Sequence, residues 1–394
     1  MSTAFADRMT KVHKSFIREI LKVTQDPSII SFAGGLPNPA SFPVREIAEA
    51  AAAVLADNGS SALQYSTTEG YQPLREYVAK RYARRGLNVD SDDVMIISGS
   101  QQGIDLAGKV FIDKGDRVLV EKPTYLATLQ AFGLYQPEFR SIPLLDDGPD
   151  TAAMGQELET DDIKLFYAVP NFQNPTGITY SLKKRKEVAS LLNERGTAFV
   201  EDDPYGDIRY MGEDLPPVKK FAEHAVLLGS FSKIVSPGMR LGWLVAPPEI
   251  MEKIVIAKQA TDLHTNIFTQ RVVYQYLTVN DVDAHIEKIR VMYRRQRDVM
   301  ISAIEQHFPG GIQYTKPEGG MFLWATLPEG VSSLELFDLA IKEKVAFVPG
   351  QAFFADGSGE NTMRLNYTNS DEEAIEQGIA RLGHAIHGLT GKKR

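Results

Sequence analysis

Residues 229–240 read GSFSKIVSPGMR, three hydroxyls, one lysine and one arginine set among glycine and proline, directly after the apolar run Ala225-Val226-Leu227-Leu228. Lysine normally keeps its amine in water, so one delivered by an apolar run invites a chemical reading. A strand end supplying Ser230, Ser232 and Lys233, with Arg240 seven positions on, suits a site that holds a phosphate and uses an amine as nucleophile. Four other apolar runs end in comparable chemistry. VMIIS leads into Gly99-Ser100-Gln101-Gln102-Gly103, a helix start whose first amides can face an anion. RVLVE leads to Tyr125, KLFYAVP leads to NFQNPTG with Asn174, and TAFVE leads to Asp202-Asp203-Pro204-Tyr205. Taken singly these are a helix cap, a packing aromatic and a turn. Two acids behind a buried strand are harder to dismiss, because a carboxylate at that depth needs a cationic partner.

The elements that must position these residues alternate along the chain. Helical periodicity in REIAEAAAAVLAD and YQPLREYVAKRYARRG precedes the short apolar runs VMIIS, RVLVE, KLFYAVP, TAFVED, AVLLGS and LGWLVAP, most of them followed by helical segments. That alternation predicts an α/β layer with a mostly parallel sheet, in which ligands gather at the carboxyl ends of the strands. A charge-rich helix is expected between about 281 and 307, and MFLWATLP, AFVPG and MRLNYT read as strands of a smaller α+β unit. The expected division is an arm with one helix (1–30), a large domain (31–280) and a small domain (281–394).

Composition narrows the function. The chain has 394 residues, 43% hydrophobic and 24% charged, with a formal net charge of -8, which suits two globular domains and disfavours nucleic acid as a partner. No apolar stretch approaches a membrane span and MSTAFADRMTKVHKSF carries no apolar signal core, so a cytoplasmic protein is expected. Cysteine is absent, and the 7 histidines lack ligand spacing, so no metal site is expected.

Pyridoxal 5'-phosphate is a cofactor that needs all these groups at once: a lysine for its aldehyde, an acid for its ring nitrogen, an aromatic face, donors for its ring oxygen, and hydroxyls, amides and an arginine for its phosphate. Through SFAGGLP, LQYSTTEGYQPLRE, GSQQGIDL, PNFQNPTG, VEDDPYG and GSFSKIVSPGMRLGW the chain resembles fold-type I aminotransferases of class I/II, and within them the 2-aminoadipate and kynurenine aminotransferase group. The resemblance implies the PLP-dependent transferase fold of type I, with a mostly parallel seven-stranded sheet in a large domain plus a smaller α+β domain. It implies that Lys233 binds the cofactor aldehyde and shuttles a proton, that Asp202 meets the ring nitrogen, and that Asn174 and Tyr205 hold the ring oxygen. Tyr125 would stack on the ring, while Ser100, Gln101, Ser230, Ser232 and Arg240 would hold the phosphate. Tyr65 would reach the phosphate from a neighbouring subunit, which implies a homodimer with shared sites. Arg364 would clamp the substrate α-carboxylate beside Gly35 and Asn174, and Arg18 would meet the distal carboxylate of a diacid.

The implied activity is transfer of an amino group from an L-amino acid (2-aminoadipate, glutamate, leucine-like or aromatic) to 2-oxoglutarate or a related 2-oxo acid. A lyase, decarboxylase or racemase on the same fold is the alternative, since one cofactor serves them all. A transcription regulator carrying an aminotransferase-like body is disfavoured because only thirty residues precede SFAGGLP. A nicotinamide-dependent oxidoreductase is disfavoured by the missing G-x-G-x-x-G.

Overall fold

The structure, a computed structural model, describes residues 5–11, 20, 26–160 and 162–391. Along the chain the strands are β1 (Ile30–Ser31), β2 (Val94–Ile97), β3 (Arg117–Lys122), β4 (Glu138–Leu145), β5 (Gly148–Pro149), β6 (Ile163–Ala168), β7 (Ala198–Asp203), β8 (Ala225–Ser230), β9 (Gly242–Val245), β10 (Gln313–Tyr314), β11 (Phe322–Thr326), β12 (Val345–Ala346), β13 (Val348–Pro349) and β14 (Thr362–Asn366).

Eight of them form one sheet in the order β2-β9-β8-β7-β6-β3-β4-β5. Seven make its body, as expected, and the two-residue β5 folds back antiparallel on β4 as an unforeseen eighth. Strands β2, β7, β8 and β9 are buried along their whole length, which is why they read as unbroken apolar runs rather than alternating ones. By contrast β4, EFRSIPLL, is half-exposed and holds Pro143, so its pattern hides it from the sequence; a proline is tolerated near a sheet edge.

The pairings explain how one edge of the sheet collects the chemistry. Strands β8, β7, β6, β3 and β4 pair parallel in that succession. β9 runs antiparallel to both β2 and β8, so β2 and β8 share a direction. The carboxyl ends of β2, β3, β6, β7 and β8 therefore open on one side. β9 begins on that same side, which brings Arg240, two residues ahead of it, to the others.

A second sheet, antiparallel, has the order β10-β11-β14-β13, with Arg364 paired to Trp324 on one side and Val348 on the other. β1 pairs parallel with β12, and Asn366 donates its backbone N–H to Phe32 O at 2.9 Å. These bonds seat the SFAGGLP loop between the two sheets. The expected charge-rich helix is present as Val282–His307, capped by Asp281, whose side chain accepts from Ala284 N. Most of the expected N-terminal helix, FIREILKV, lies outside the described residues, and with it Arg18; Ile20 is described and is buried beside Ala33 and Leu126.

Candidate active site

One cavity at the strand ends is lined by Gly35, Ser100, Gln101, Tyr125, Asn174, Asp202, Tyr205, Ser230, Ser232, Lys233, Arg240 and Arg364, together with Gly99, Val169 and Pro204. Twelve of the sequence candidates thus converge. Tyr65 does not: it is 79% exposed and lines a separate surface hollow, its ring edge-on to His264. Arg18 lies outside the described residues.

Each side chain is placed by a local device. The helix Ser100–Phe111 starts at Gly99, whose φ of +81° turns the chain sharply and whose entry carries no side-chain cap, so the first amides stay free to meet an anion. A Cβ on Gly99 would stand 2.7 Å from Arg240 Nη2, so only glycine leaves the guanidinium its position. Arg240 itself is held in the left-handed region at φ +51°, with Nη2 donating to Ser98 O at 3.2 Å. Ser230 Oγ accepts from Ser232 N at 3.1 Å, closing the short turn that carries Lys233.

The Lys233 amine donates to Gly35 O at 3.0 Å. Burial, with the positive charges of Arg364 and Arg240 behind it, pushes that amine down from 10.5 to about 8. An amine so placed has an uncharged, nucleophilic fraction at neutral pH that a solvated lysine lacks. Arg364 is fully buried, where Lys233 is half-buried. Its Nη1 donates to Asn174 Oδ1 at 2.8 Å and Nη2 to Ala33 O at 2.8 Å, and its guanidinium lies 4.2 Å from the centre of the Phe322 ring and 5.1 Å from that of Phe353. Asn174 in turn reaches the Tyr205 hydroxyl at 3.5 Å.

The two neighbouring acids have different fates, because successive residues of a strand face opposite ways. Asp203 finds its partners in the protein: Arg85 at 3.2 Å, Asn171 Nδ2 at 2.8 Å and Gly206 N at 2.9 Å. Asp202 accepts one hydrogen bond, from the Tyr167 hydroxyl to Oδ2 at 2.7 Å, while its Oδ1 has no partner among the described residues. Burial pushes the Asp202 carboxyl up to about 7, a shift that Tyr167 opposes and Asp203 adds to. A buried acid with one free oxygen at a cavity wall matches a group that presents a cationic N–H. Uncapped amides, two serines and an arginine lining the same cavity match a phosphate. The donor set fits pyridoxal 5'-phosphate at both ends.

Sequence reasoning missed several supports. Gly99 reads in the sequence only as part of a helix start. Tyr167 sits inside the apolar run KLFYAVP and reads as core; the signal was that a buried tyrosine must spend its hydroxyl on something. Glu121, buried at the end of β3, accepts from Tyr180 at 2.7 Å, Gln173 Nε2 at 3.0 Å and Val169 N at 3.2 Å, and Gln173 Nε2 also donates to Pro123 O at 2.8 Å. That cluster ties the turn before Tyr125 to the turn carrying Asn174. Burial pushes Glu121 up to about 7 against those three donors.

An α/β sheet with a buried, partly uncharged lysine, a cation-seeking acid and an anion cradle at its strand ends defines an enzyme of amine chemistry. The chain belongs to the family Aminotransferase class I and II, whose model matches residues 29–382. It is 45% identical over 393 residues to aromatic-amino-acid aminotransferase 1 of Thermococcus litoralis, covering 97% of this chain and 94% of that one. The crystal structure of α-aminoadipate aminotransferase from Thermus thermophilus, complexed with N-(5'-phosphopyridoxyl)-L-leucine, matches with a TM-score of 0.92 and 43% identity, over 98% of each chain. That of Pyrococcus horikoshii kynurenine aminotransferase, in complex with PMP, KYN as substrates and KYA as products, matches with a TM-score of 0.94 and 44% identity, over 98% of this chain and 97% of that one. This chain is an aminotransferase, and these relatives do not favour the lyase, decarboxylase or racemase alternative.

Proposed function

We propose that the chain transfers the amino group of an L-amino acid of the 2-aminoadipate, glutamate, leucine-like or aromatic kind to 2-oxoglutarate or a related 2-oxo acid, using pyridoxal 5'-phosphate, as a cytoplasmic homodimer. The observation that carries this reading is the meeting of Lys233, Asp202 and Arg364 in one cavity at the strand ends. When bound, the cofactor supplies an electron sink and a temporary carrier for the amino group.

The chain's own residues do the rest. Asp202 Oδ1 would hold the proton on the ring nitrogen, Tyr125 would stack on the ring, and Asn174 and Tyr205 would hold the ring oxygen. Ser100, Gln101, Ser230, Ser232 and Arg240 hold the phosphate. The uncharged Lys233 amine would be the group that holds the cofactor at its aldehyde carbon and, when free, would take and return the proton at the substrate Cα. Arg364, oriented by Asn174 and Ala33 O and flanked by two aromatic rings, binds the substrate α-carboxylate beside Gly35. Tyr65, exposed in the protomer, serves the phosphate of a second copy, and Arg18 serves the distal carboxylate of a diacid. The division into arm, large and small domains at about residues 30 and 280 belongs to the same reading. It is supported by an eight-stranded sheet lying within 94–245 and a four-stranded one within 313–366.

The test is an amino-acid panel with 2-oxoglutarate as acceptor, read as glutamate formed. Transfer from aminoadipate, leucine or an aromatic amino acid with parallel-line initial-rate kinetics is expected. Release of carbon dioxide or racemised substrate in place of glutamate would overturn it.

A further inference from the structure

Asp202 is fully enclosed, yet among the described residues its only hydrogen bond comes from Tyr167, at 2.7 Å to Oδ2. Tyr167 is itself 0% exposed, on β6 beside β7, and the edge of Phe132 meets its ring at 6.1 Å and 89°. The hydroxyl is therefore a fixed donor. Burial and the nearby Asp202 charge hold its proton well above the ordinary tyrosine range, so it donates across the whole working pH range. A carboxyl group turns about its Cβ–Cγ bond in a broad, roughly two-fold well, and nothing in covalent geometry chooses which oxygen faces a cavity. One short hydrogen bond on Oδ2 makes that choice.

We propose that Tyr167 is a positioning residue, which locks the Asp202 carboxylate so that Oδ1 is presented to a protonated ring nitrogen in the cavity. The proposal rests on the pyridoxal phosphate reading above. Tyr167 also opposes the effect of burial on Asp202, to which Asp203 adds; Glu121, Tyr125 and Tyr205 nearby are further acids or phenols, while the cations Lys233, Arg240 and Arg364 line the same cavity.

Two readouts on Tyr167→Phe test it, one without cofactor. In the cofactor-free protein a carboxyl raised from 3.8 to about 7 makes stability fall as pH rises through that window, because the folded state holds the proton longer. Comparing melting temperatures with Asp202→Asn isolates this component. Tyr167→Phe should extend the fall to higher pH, and in an Asp202→Asn background it should change nothing in the pH profile. In the second readout, absorbance titration with pyridoxal phosphate, Tyr167→Phe should weaken affinity about tenfold or more, the effect of a hydrogen bond to a charged group. The loss should be larger at pH 6 than at pH 8.5 and should vanish in the Asp202→Asn background. A loss independent of pH, or one equal in both backgrounds, marks a merely structural tyrosine and overturns the proposal. Absence of any pyridoxal phosphate binding to the unmodified protein would sink the functional reading instead, while the cofactor-free profile still reports whether Tyr167 governs Asp202.

Discussion

Capture of pyridoxal phosphate by the cofactor-free enzyme should accelerate steeply from pH 6.5, reach half its maximum near pH 8 and level off above about pH 9. The cause is Lys233, whose amine is pushed from 10.5 to about 8 by burial first and by Arg364 and Arg240 second. With that value roughly one amine in ten is uncharged at pH 7, against roughly one in 3000 for a solvated lysine, a gain of about 300-fold in reactive nucleophile. The assay is stopped-flow absorbance after mixing with excess cofactor. Arg364→Met removes one of the two cations, so the midpoint should move upward; burial, the larger cause, remains, so it should stay below 10.5. A rate that climbs tenfold per pH unit up to pH 10 would show a solvated amine and refute the argument. An unmoved midpoint in Arg364→Met would remove Arg364 from it.

The two acids at the end of β7 should behave oppositely. Asp202→Asn should raise the melting temperature of the cofactor-free protein near pH 7, since it removes a buried charge, while slowing amino transfer on the order of 10³-fold. Asp203→Asn should instead cost about 3–5 kcal/mol in denaturant unfolding by leaving Arg85 without its partner. Gly99→Ala forces a side chain to φ +81° and into Arg240, and should cost about 1 kcal/mol of stability and about tenfold in cofactor affinity, read by unfolding and by absorbance titration. Arg18→Ala should cost diacid substrates about 1.5–3 kcal/mol in kcat/KM and leave apolar ones unchanged; equal effects on both return Arg18 to a plain surface charge.

Much of the site was legible because a parallel sheet puts every strand's carboxyl end on one side, so five unusual strand endings had to meet. Lys233, Asn174, Tyr125, Ser100 and the pair Asp202-Asp203 follow from that rule alone. Arg240 does so for a reason the sequence does not state: β9 inserts antiparallel between β2 and β8, and its beginning, not its end, faces the cavity. Register was the hidden variable elsewhere. Which of Asp202 and Asp203 points to the cavity, and that Tyr167 meets the former, depends on how β6 lies against β7, and from Leu165 on β6, like all of β7, is buried on both faces with no alternation to read. Glu121 was invisible for a related cause, since its partners Gln173 and Tyr180 come from a turn some 50 residues away. Tyr65 shows the limit of a single chain: its ring lies outside the protomer's cavity, and the role proposed for it needs a second copy.

The central claim is that Lys233 carries the cofactor. Borohydride reduction of the loaded enzyme, followed by proteolysis and mass analysis, should leave one phosphopyridoxyl group per chain on the peptide containing Lys233, and none on Lys233→Ala, which should also lose amino transfer while keeping its fold by circular dichroism. A label on any other lysine, or turnover near the wild-type rate in Lys233→Ala, would contradict the account.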